Sequence, residues 1–354
     1  MFNEYKEYIK TGRKVVAFGD IILELSPPMY QRIIQADVFE VTFAGAESDF
    51  AIDLALLGVP VDFVTRLPNN VLGDKCINYL RQFGVGVHKI LRGGDRIGIF
   101  FVEKGVGPRP SIVLYDKDNS AFATLKPGDI DWDYVFKDAF WFHFSGITPA
   151  TSQSVAEVCL EALKKAKKLG LTVSCDLNYR AQLWRWCKNP GEVMSELIKY
   201  VDIVVSNEEE VEKYFGIKAP GVDVYQGKIN VDSYKDVAEE LLRLFPNLKL
   251  IAFTLRTSIS ASYNLWEGAL YDGRKFYKSR RYEIFPIIDR IGAGDSFAAA
   301  LVYGLIYMSD LQQVLEFAVA ASCLKHTIPG PINIVNYKDI INILEKGTSG
   351  RIIR

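Results

Sequence analysis

The feature that most constrains the fold of this 354-residue chain is a regular alternation of strand-like and helix-like segments. Short apolar runs at 140–144 and 171–176 are followed by stretches with apolar residues at helical spacing, of which 152–169 is the clearest. A strand that returns to the same sheet through a helix lies parallel to the strand before it. The alternation therefore predicts an α/β protein with a mainly parallel central sheet between layers of helices.

Polar residues stand where several of the predicted strands end. Asp20 closes the run 14–20, and polar residues follow the later runs at 176–180, 206–207 and 254–256. In open parallel sheets, ligands bind beyond the carboxyl ends of the strands. The pattern predicts that a binding site gathers from these positions.

The segment 96–123 does not follow this alternation of strands and helices. It contains two stretches rich in β-forming residues, 96–103 and 111–116, separated by the turn-forming sequence Gly-Val-Gly-Pro at 105–108. This pattern is typical of two antiparallel strands. We expect the pair to project from the main body of the protein.

Composition and charge exclude several classes of function. The formal net charge is −1, so the chain has no excess of positive charge with which to bind nucleic acid or an anionic membrane. The five cysteines form no Cys-x-x-Cys pair, and the three histidines lie at no zinc-ligand spacing from them. Neither a disulfide framework nor a structural zinc site is expected. The polar N-terminus and the lack of a long apolar run favour the cytoplasm.

The sharpest local motif is Gly-Ala-Gly-Asp at 292–295, which runs into a stretch with one apolar face. Glycines allow the backbone to approach a ligand closely, and the free amides and dipole of a helix start attract an anion. A carboxylate beside an anion site is electrostatically unfavourable, so its presence indicates proton transfer. Asp295 would then accept the proton of a hydroxyl that attacks a phosphoryl group. Taken alone, the same residue is more often a simple helix N-cap.

The sequence Asp-Arg-Ile-Gly-Ala-Gly-Asp-Ser-Phe at 289–297 resembles the C-terminal signature of the ribokinase-type (phosphofructokinase-B) carbohydrate kinases. The similarity extends from about Val15 to about Tyr337, and within that family it is greatest to the 2-keto-3-deoxygluconate kinases. The segments that most resemble this branch are 43–47, 174–184, 254–262 and 324–330.

The resemblance implies a ribokinase-like three-layer sandwich with a small β-sheet lid, in a single kinase domain over residues 14–346. Lid strands would come from about 21–43 and 96–123, and residues 1–13 and 347–354 would be terminal extensions. A lid of this kind covers the sugar and keeps water from accepting the phosphoryl group. It often pairs with the lid of a second subunit, so a homo-oligomer, at least a dimer, is expected.

The resemblance also assigns the phosphate chemistry, with Asp295 as the catalytic base. The anion hole would be formed by Gly292, Ala293 and Gly294. Asn207 and Glu210 match an Asn-x-x-Glu motif that organises Mg²⁺ and phosphates largely through water, although Glu210 alone would indicate only a solvated acid at a helix start. The residues expected near ATP are Asn207, Arg256, Gly294 and His326.

Seven residues are candidates for contact with the sugar: five stand at positions that the family pattern covers, and Tyr115 and Lys117 are nearby candidates. The seven are Asp20, Gly45, Asp49, Phe100, Tyr115, Lys117 and Arg180. Arg180 matches the residue expected to bind a substrate carboxylate, which the planar guanidinium can pair through two oxygens at once; the alternative is a structural ion pair. Asp289 either forms a turn or orders a loop or a monovalent cation site.

Three positions depart from the pattern of the family. Ala44 replaces one glycine of the usual Gly-Gly pair, Asp49 replaces an asparagine, and Phe100 replaces a tyrosine. All three belong to the expected sugar pocket, so they bear on the substrate and not on the phosphate chemistry. An acid at position 49 would repel a carboxylate substrate if it faced it.

The predicted function is ATP-dependent and Mg²⁺-dependent phosphorylation of 2-keto-3-deoxygluconate to its 6-phosphate. One alternative is a kinase of another sugar, such as a ketohexose. A second is a non-catalytic sugar-binding or regulatory protein, against which the joint presence of Asp295, Asn207 and Glu210 argues. A dinucleotide-dependent dehydrogenase is disfavoured because Gly19-Asp20 after the first strand offers no Gly-x-Gly-x-x-Gly.

Overall fold

The computed structural model describes residues 5–207, 209–221 and 230–347. The strands, in chain order, are β1 (Lys14–Phe18), β2 (Ile22–Ser26), β3 (Glu40–Ala44), β4 (Val61–Val64), β5 (Arg66–Leu67), β6 (Leu91–Arg92), β7 (Ile99–Glu103), β8 (Ile112–Asp116), β9 (Ala139–Ser145), β10 (Thr172–Asp176), β11 (Ile203–Ser206), β12 (Leu250–Ser260), β13 (Tyr263–Tyr271), β14 (Phe276–Lys278) and β15 (Tyr282–Ile284). The helices are α1 (Tyr5–Lys10), α2 (Ala46–Leu56), α3 (Val71–Gln82), α4 (Trp132–Phe136), α5 (Ile147–Ala150), α6 (Gln153–Lys168), α7 (Pro190–Ile198), α8 (Glu210–Phe215), α9 (Ser233–Leu244), α10 (Ala293–Tyr307), α11 (Leu311–Lys325) and α12 (Tyr337–Lys346).

The main sheet has the strand order β14-β13-β12-β11-β10-β9-β1-β4, and β15 also pairs with β13. Every neighbouring pair from β4 to β12 is parallel, whereas β13, β14 and β15 are antiparallel additions at one edge. β1 and β9 are neighbours in the sheet although they are far apart in the chain, with Val16 opposite Phe142. The predicted mainly parallel sheet is confirmed.

Helices cover both faces of the main sheet. On one face α2, α10 and α11 bury an apolar core that includes Phe50 and Phe297. On the other face α6, α7 and α9 bury a second core that includes Leu163. Because both faces are covered, β9 is buried along its whole length and has a continuous apolar sequence. The fold is therefore the predicted three-layer sandwich.

A separate small sheet has the strand order β3-β2-β7-β8. β7 and β8 are antiparallel, as expected for the segment 96–123, and Phe100 lies opposite Tyr115. One face buries Phe100 and Val102 with neighbouring apolar residues. The other face leaves Val41 and Leu114 exposed to solvent. This small sheet corresponds to the predicted lid.

One strand boundary was predicted incorrectly. Residues 254–256 were expected to end a strand, but β12 continues to Ser260. The reason is that β12 pairs antiparallel with β13 along its length, with Arg256 opposite Trp266. The polar residues 254–256 therefore lie inside the β12–β13 hairpin and not in a loop after the strand.

Residues 5–10, within the predicted N-terminal extension, form α1. The ring of Tyr5 packs against Trp141 at 5.2 Å between centroids, and its hydroxyl lies 2.7 Å from Thr172 Oγ1. Across the described part of the chain, no helix combines the length and the apolar character needed to cross a membrane. The five cysteines are free.

Candidate active site

A cavity of about 480 Å³ lies between the carboxyl ends of the main-sheet strands and the small sheet. All but one of the site residues predicted from the sequence line it. They are Asp20, Gly45, Asp49, Phe100, Tyr115, Lys117, Arg180, Asn207, Glu210, Arg256, Gly292, Ala293, Gly294 and Asp295. The start of α10, the tip of β10 and the small sheet thus meet around one space, as expected for a switch region of a parallel sheet.

The start of α10 is built around Gly292. Its φ of 80° is a left-handed conformation that favours glycine, and a side chain there would overlap the carbonyl oxygen of Pro331. Ser322 Oγ donates a 2.6 Å hydrogen bond to Ala293 O and fixes the next residue. The backbone of this first turn lines the cavity, and the amides of a helix start can receive an anion.

Asp295 lies in the first turn of α10, at the cavity. Burial raises its pKa to about 7, the charge of Glu47 adds to the rise, and Arg180 and Lys325 oppose it. A carboxylate with a pKa near 7 is well matched to accept a proton at neutral pH. The position and the pKa both suit the predicted base.

Glu47 is a site residue that the sequence did not single out. It is fully buried at the start of α2, and its Oε1 accepts hydrogen bonds from Ser145 N at 2.8 Å and Ser145 Oγ at 2.6 Å. Thr148 Oγ1 donates a further hydrogen bond of 2.5 Å to the same oxygen. Glu47 thereby ties α2 to the end of β9 beneath the cavity. The only sequence signal was its place in the segment 43–47.

Asp49 is buried one turn into α2, and its Oδ2 accepts a 3.3 Å hydrogen bond from Gly45 N. Burial raises the pKa of Asp49 well above its usual range, and the charges of Asp295 and Asp53 raise it further. This shift favours the neutral carboxylic acid, which can donate a hydrogen bond as an asparagine does. The repulsion expected between an acid at this position and an anionic substrate is correspondingly reduced.

Asp20 and Lys117 form a buried ion pair at the cavity, with Lys117 Nζ 3.0 Å from Asp20 Oδ2. Asp20 follows β1 of the main sheet, and Lys117 follows β8 of the small sheet. Each side chain is close to fully buried. The pair connects the two sheets and presents both a donor and an acceptor to the cavity.

Arg180 lies after β10 and keeps 44% of its side chain exposed. Its Nη1 donates a 2.8 Å hydrogen bond to Tyr179 O, and the same atom is 3.8 Å from Glu210 Oε1. That distance is too long for a hydrogen-bonded ion pair. The guanidinium therefore retains donors that can reach a ligand in the cavity.

Asn207 and Glu210 hold each other in a compact pair at the start of α8. Asn207 Nδ2 donates to Glu210 Oε1 at 2.8 Å, and Asn207 N donates to Glu210 Oε2 at 3.1 Å. Tyr179 N also donates to Glu210 Oε1, at 3.2 Å. Glu210 is buried, not solvated as a lone acid at a helix start would be. Oxygen ligands of this kind suit Mg²⁺ held through water.

Arg290 and Trp266 are among the other cavity-lining residues that were not predicted. Arg290 Nη2 donates a 2.8 Å hydrogen bond to Ala261 O in the turn between β12 and β13. Arg256 lines the same cavity, and burial, followed by the charge of Arg256, lowers the pKa of Arg290. Two arginines on one cavity favour a polyanionic ligand.

His326 is the predicted residue that the structure does not bring to the cavity. It is fully buried, with its ring 4.9 Å from Trp266, and its Nδ1 lies 2.8 Å from Ser322 O. Burial lowers the pKa of His326 to about 3, so the ring is neutral. Trp266, which packs against this ring, lines the cavity. A role for His326 at the nucleotide stays a prediction.

The chain matches the family model of pfkB carbohydrate kinases over residues 13–251 and 267–336. A 2-dehydro-3-deoxygalactonokinase of Haloferax volcanii is 30% identical over 338 residues, which cover 95% of this chain and 98% of that protein. A 2-dehydro-3-deoxygluconokinase of Thermoproteus tenax is 26% identical over 326 residues, covering 90% of each chain.

Among solved structures, the crystal structure of a 2-dehydro-3-deoxygluconokinase of Thermotoga maritima has a TM-score of 0.88 and 48% sequence identity to this chain. The match covers 94% of this chain and 99% of that one. The family match at 13–251 and 267–336 includes every predicted site residue except Arg256.

Proposed function

The chain belongs to the pfkB family of carbohydrate kinases, and we propose that it transfers the γ-phosphoryl group of ATP to the terminal hydroxyl of 2-keto-3-deoxygluconate. The product is the 6-phosphate. The observation that carries this proposal is the joint presence of Asp295 and Arg180 on one cavity, close enough that the charge of Arg180 lowers the pKa of Asp295. A proton acceptor and a carboxylate receptor that line the same cavity suit a substrate that is both an alcohol and an acid.

In this mechanism Asp295 accepts the proton of the terminal hydroxyl as the oxygen attacks the γ-phosphorus. The new oxygen–phosphorus bond forms as the bond to the ADP oxygen breaks, and ADP leaves. The amides of residues 292–294 stabilise negative charge on the transferred group. The small sheet excludes water, which would otherwise accept the phosphoryl group.

The nucleotide side is formed by Asn207, Glu210 and the arginines 256 and 290. Asn207 and Glu210, which lie side by side at the start of α8, would hold Mg²⁺ through bound water, because their side-chain oxygens suit a hard cation. Bound Mg²⁺ would neutralise phosphate charge. The two guanidinium groups suit the remaining phosphate oxygens.

The sugar side is formed by Arg180, Asp49 and the Asp20–Lys117 pair. The guanidinium would pair with the substrate carboxylate through two hydrogen bonds. Asp49, whose raised pKa favours the neutral form, would then donate a hydrogen bond without repelling that carboxylate. Asp20 and Lys117 would bind hydroxyl groups of the sugar chain.

A second candidate substrate is 2-keto-3-deoxygalactonate, which differs in the configuration of one hydroxyl group. It is favoured by the Haloferax volcanii relative, a 2-dehydro-3-deoxygalactonokinase that covers nearly all of this chain. The discriminating experiment measures ADP release by the purified protein with Mg-ATP and each sugar acid, alongside neutral ketohexoses. Preference for either keto-deoxy acid supports the proposal, and preference for a neutral ketose would refute it.

The outer face of the small sheet is proposed as the contact between two copies of this chain. Val41 and Leu114 lie on this face, and each exposes about half of its surface. Phe39 and Phe101 pack edge-on beside them, with ring centroids 5.7 Å apart. A contiguous apolar surface of this kind favours a protein–protein contact. Pairing there would cover the outer faces of two lids at once and would stiffen each lid over its own cavity.

A further inference from the structure

The turn that joins β7 to β8 rests on the loop that leads into α10. Lys104 directly follows β7, and its Nζ lies 3.0 Å from Asp289 Oδ2. The Lys104 side chain is 18% exposed and that of Asp289 is 2% exposed. The small sheet is thereby joined to the kinase signature by an ion pair that is largely shielded from water.

The Asp289 carboxylate holds both segments that shape the start of α10. Its Oδ1 accepts a 3.1 Å hydrogen bond from Ile291 N, directly before Gly292. Its Oδ2 accepts a 3.2 Å hydrogen bond from Gly330 N, directly before Pro331, and the carbonyl of Pro331 packs on Gly292. The Asp289 carboxylate thus holds the two loop segments, 289–292 and 330–331, that shape the proposed anion hole.

A second connection runs from the same turn to that loop by way of the β12–β13 turn. Gly107 N donates a 2.9 Å hydrogen bond to Ser262 Oγ, and Ala261 N donates a 2.8 Å hydrogen bond to Gly107 O. Ala261 O in turn accepts the hydrogen bond from Arg290, the residue after Asp289. The turn of the small sheet therefore reaches the signature through Lys104 directly and through the β12–β13 turn.

The charges around this contact favour a cation at Lys104. Burial lowers the pKa of Lys104, but the charge and hydrogen bond of Asp289 and the charges of Glu24 and Glu40 outweigh it, so the net shift is upward. Lys325 also acts on Asp289 by its charge, while its own Nζ donates a 3.0 Å hydrogen bond to Ile328 O. Lys104 is thus the ammonium in direct contact with the Asp289 carboxylate.

We propose that Lys104 is a positioning residue for phosphoryl transfer, whose ammonium completes the Asp289 loop only when the small sheet is closed over the sugar. Closure would then set the amides at 292–294 and the carboxylate of Asp295 in place. Phosphoryl transfer would then be possible only when a sugar is bound and the small sheet is closed. Transfer to water would be disfavoured while the small sheet is open. This inference rests on the proposed kinase function.

The inference also bears on the monovalent cation predicted at Asp289. A tethered ammonium already meets this carboxylate, so added K⁺ or NH₄⁺ should change the activity of the unaltered protein little. Removing the ammonium by Lys104→Ala should create a need for a small cation.

The test compares Lys104→Ala, Lys104→Arg and Lys104→Met in the ADP-release assay with the best sugar acid. We expect kcat of the alanine and methionine variants to fall about 10- to 100-fold, because small displacements of reacting groups have effects of that size. The KM values for ATP and sugar should change much less, Lys104→Arg should retain more activity, and NH₄⁺ should raise kcat of Lys104→Ala alone. An unchanged kcat, or a loss that appears only in KM, would overturn the inference.

A second measurement does not depend on turnover. Hydrogen exchange over residues 287–296 should be faster in Lys104→Met than in the unaltered protein. The matched control is Arg32→Gln, which removes another positive charge near the small sheet. Arg32 lies 3.4 Å from Glu103, and Glu103 keeps its second partner, Arg109, at 2.9 Å in this variant. Equal exchange in all three proteins would overturn the inference. Absence of kinase activity in the unaltered protein would instead refute the proposed function.

Discussion

The proposed phosphate half and the proposed sugar half of the cavity are built from different parts of the chain. The anion hole of the phosphate half depends on backbone, namely the left-handed turn at Gly292, the carbonyl of Pro331 against it and the first amides of α10. The sugar half depends on charged side chains contributed by two different sheets, such as the Asp20–Lys117 pair. Backbone geometry changes little with substitution, whereas side chains are replaced freely. Transfer chemistry can therefore stay constant while substrate preference varies, and the three departures from the family pattern all fall in the sugar half.

The two halves also use buried carboxyl groups in opposite ways. Asp295 has a pKa of about 7 and can lose its proton in neutral solution. Asp49 is raised well above its usual range by burial and by Asp295 itself. Two neighbouring acids whose environments separate their protonation states can act as a base and as a hydrogen-bond donor. Substituting each by its amide tests this contrast directly.

The largest expected effect is that of Asp295→Asn. Loss of a general base lowers turnover by a factor on the order of 10³, and kcat in the ADP-release assay should fall accordingly with ATP binding retained. Asp49→Asn should keep most of its turnover, because the amide reproduces a neutral donor. If the two variants lost activity equally, the distinction between the halves would be wrong.

The next effect concerns Arg180→Met, which removes the proposed carboxylate receptor. Leaving a bound carboxylate without its charged partner costs several kcal/mol, so kcat/KM for the keto-deoxy acid should fall about 100-fold or more. Turnover of a poor neutral sugar should change far less. Equal losses on the acid and on the neutral sugar would indicate that Arg180 is structural.

The pH dependence should follow Asp295, since only the deprotonated form can accept a proton. With a pKa of about 7, kcat/KM should fall about tenfold per pH unit below neutrality and level off above it.

The free energy of unfolding should change with pH in the opposite direction. The pKa of Asp295 is near 4 in the unfolded chain and about 7 in the folded protein. Between these two pH values the folded protein keeps a proton on Asp295 that the unfolded chain has lost. Unfolding stability should decline with rising pH in that window, and Asp295→Asn should decline less when the two are compared by denaturant titration.

A smaller effect is expected from alanine substitutions at Gly292 and Gly294, which distinguish loss of stability from loss of turnover. Gly292→Ala combines a left-handed φ with overlap on Pro331 O, and should lower the free energy of unfolding by about 2 kcal/mol or more. Gly294 has more room, since an added Cβ would be 3.9 Å from Asp176 Oδ2. Gly294→Ala should therefore fold with about normal stability while losing turnover. Thermal unfolding and kcat measured together distinguish the two variants.

The smallest effect on chemistry is expected at the outer face of the small sheet. Leu114→Lys should shift the protein from dimer to monomer in sedimentation experiments, with a modest loss of turnover from a looser lid. Val71→Lys, at an exposed apolar residue at the start of α3, is the control and should leave the dimer intact. A protein that is monomeric without any substitution would contradict the proposed contact.

Much of the architecture could be predicted because local and global signals agree. Continuous apolar runs marked the buried strands, and glycines such as Gly58 and Gly84, both with positive φ, marked helix ends. The resemblance then placed all but one of the predicted site residues on one cavity. Residues tied to the backbone of a motif are the easiest to place, because the motif fixes their position.

The remainder depended on contacts between distant segments. The length of β12 is set by pairing with β13, and the buried Glu47 is held by Ser145 at the end of β9 and Thr148 in α5. Lys104 meets Asp289 only because a turn of the small sheet reaches the signature. None of these relations has a local sequence signal, since a single lysine or glutamate is usually solvated.

The distance along the chain between contacting residues also has a consequence for biosynthesis. Asn333 N donates a 2.8 Å hydrogen bond to Asp53 Oδ1 across 280 residues, next to the Pro331 carbonyl that shapes the anion hole. Parallel pairing and contacts of this range form slowly and late. On the ribosome, the N-terminal sugar-binding residues emerge long before the segment that completes the catalytic turn. A nascent chain would therefore lack the proposed phosphate site until the segment through Asn333 had been made.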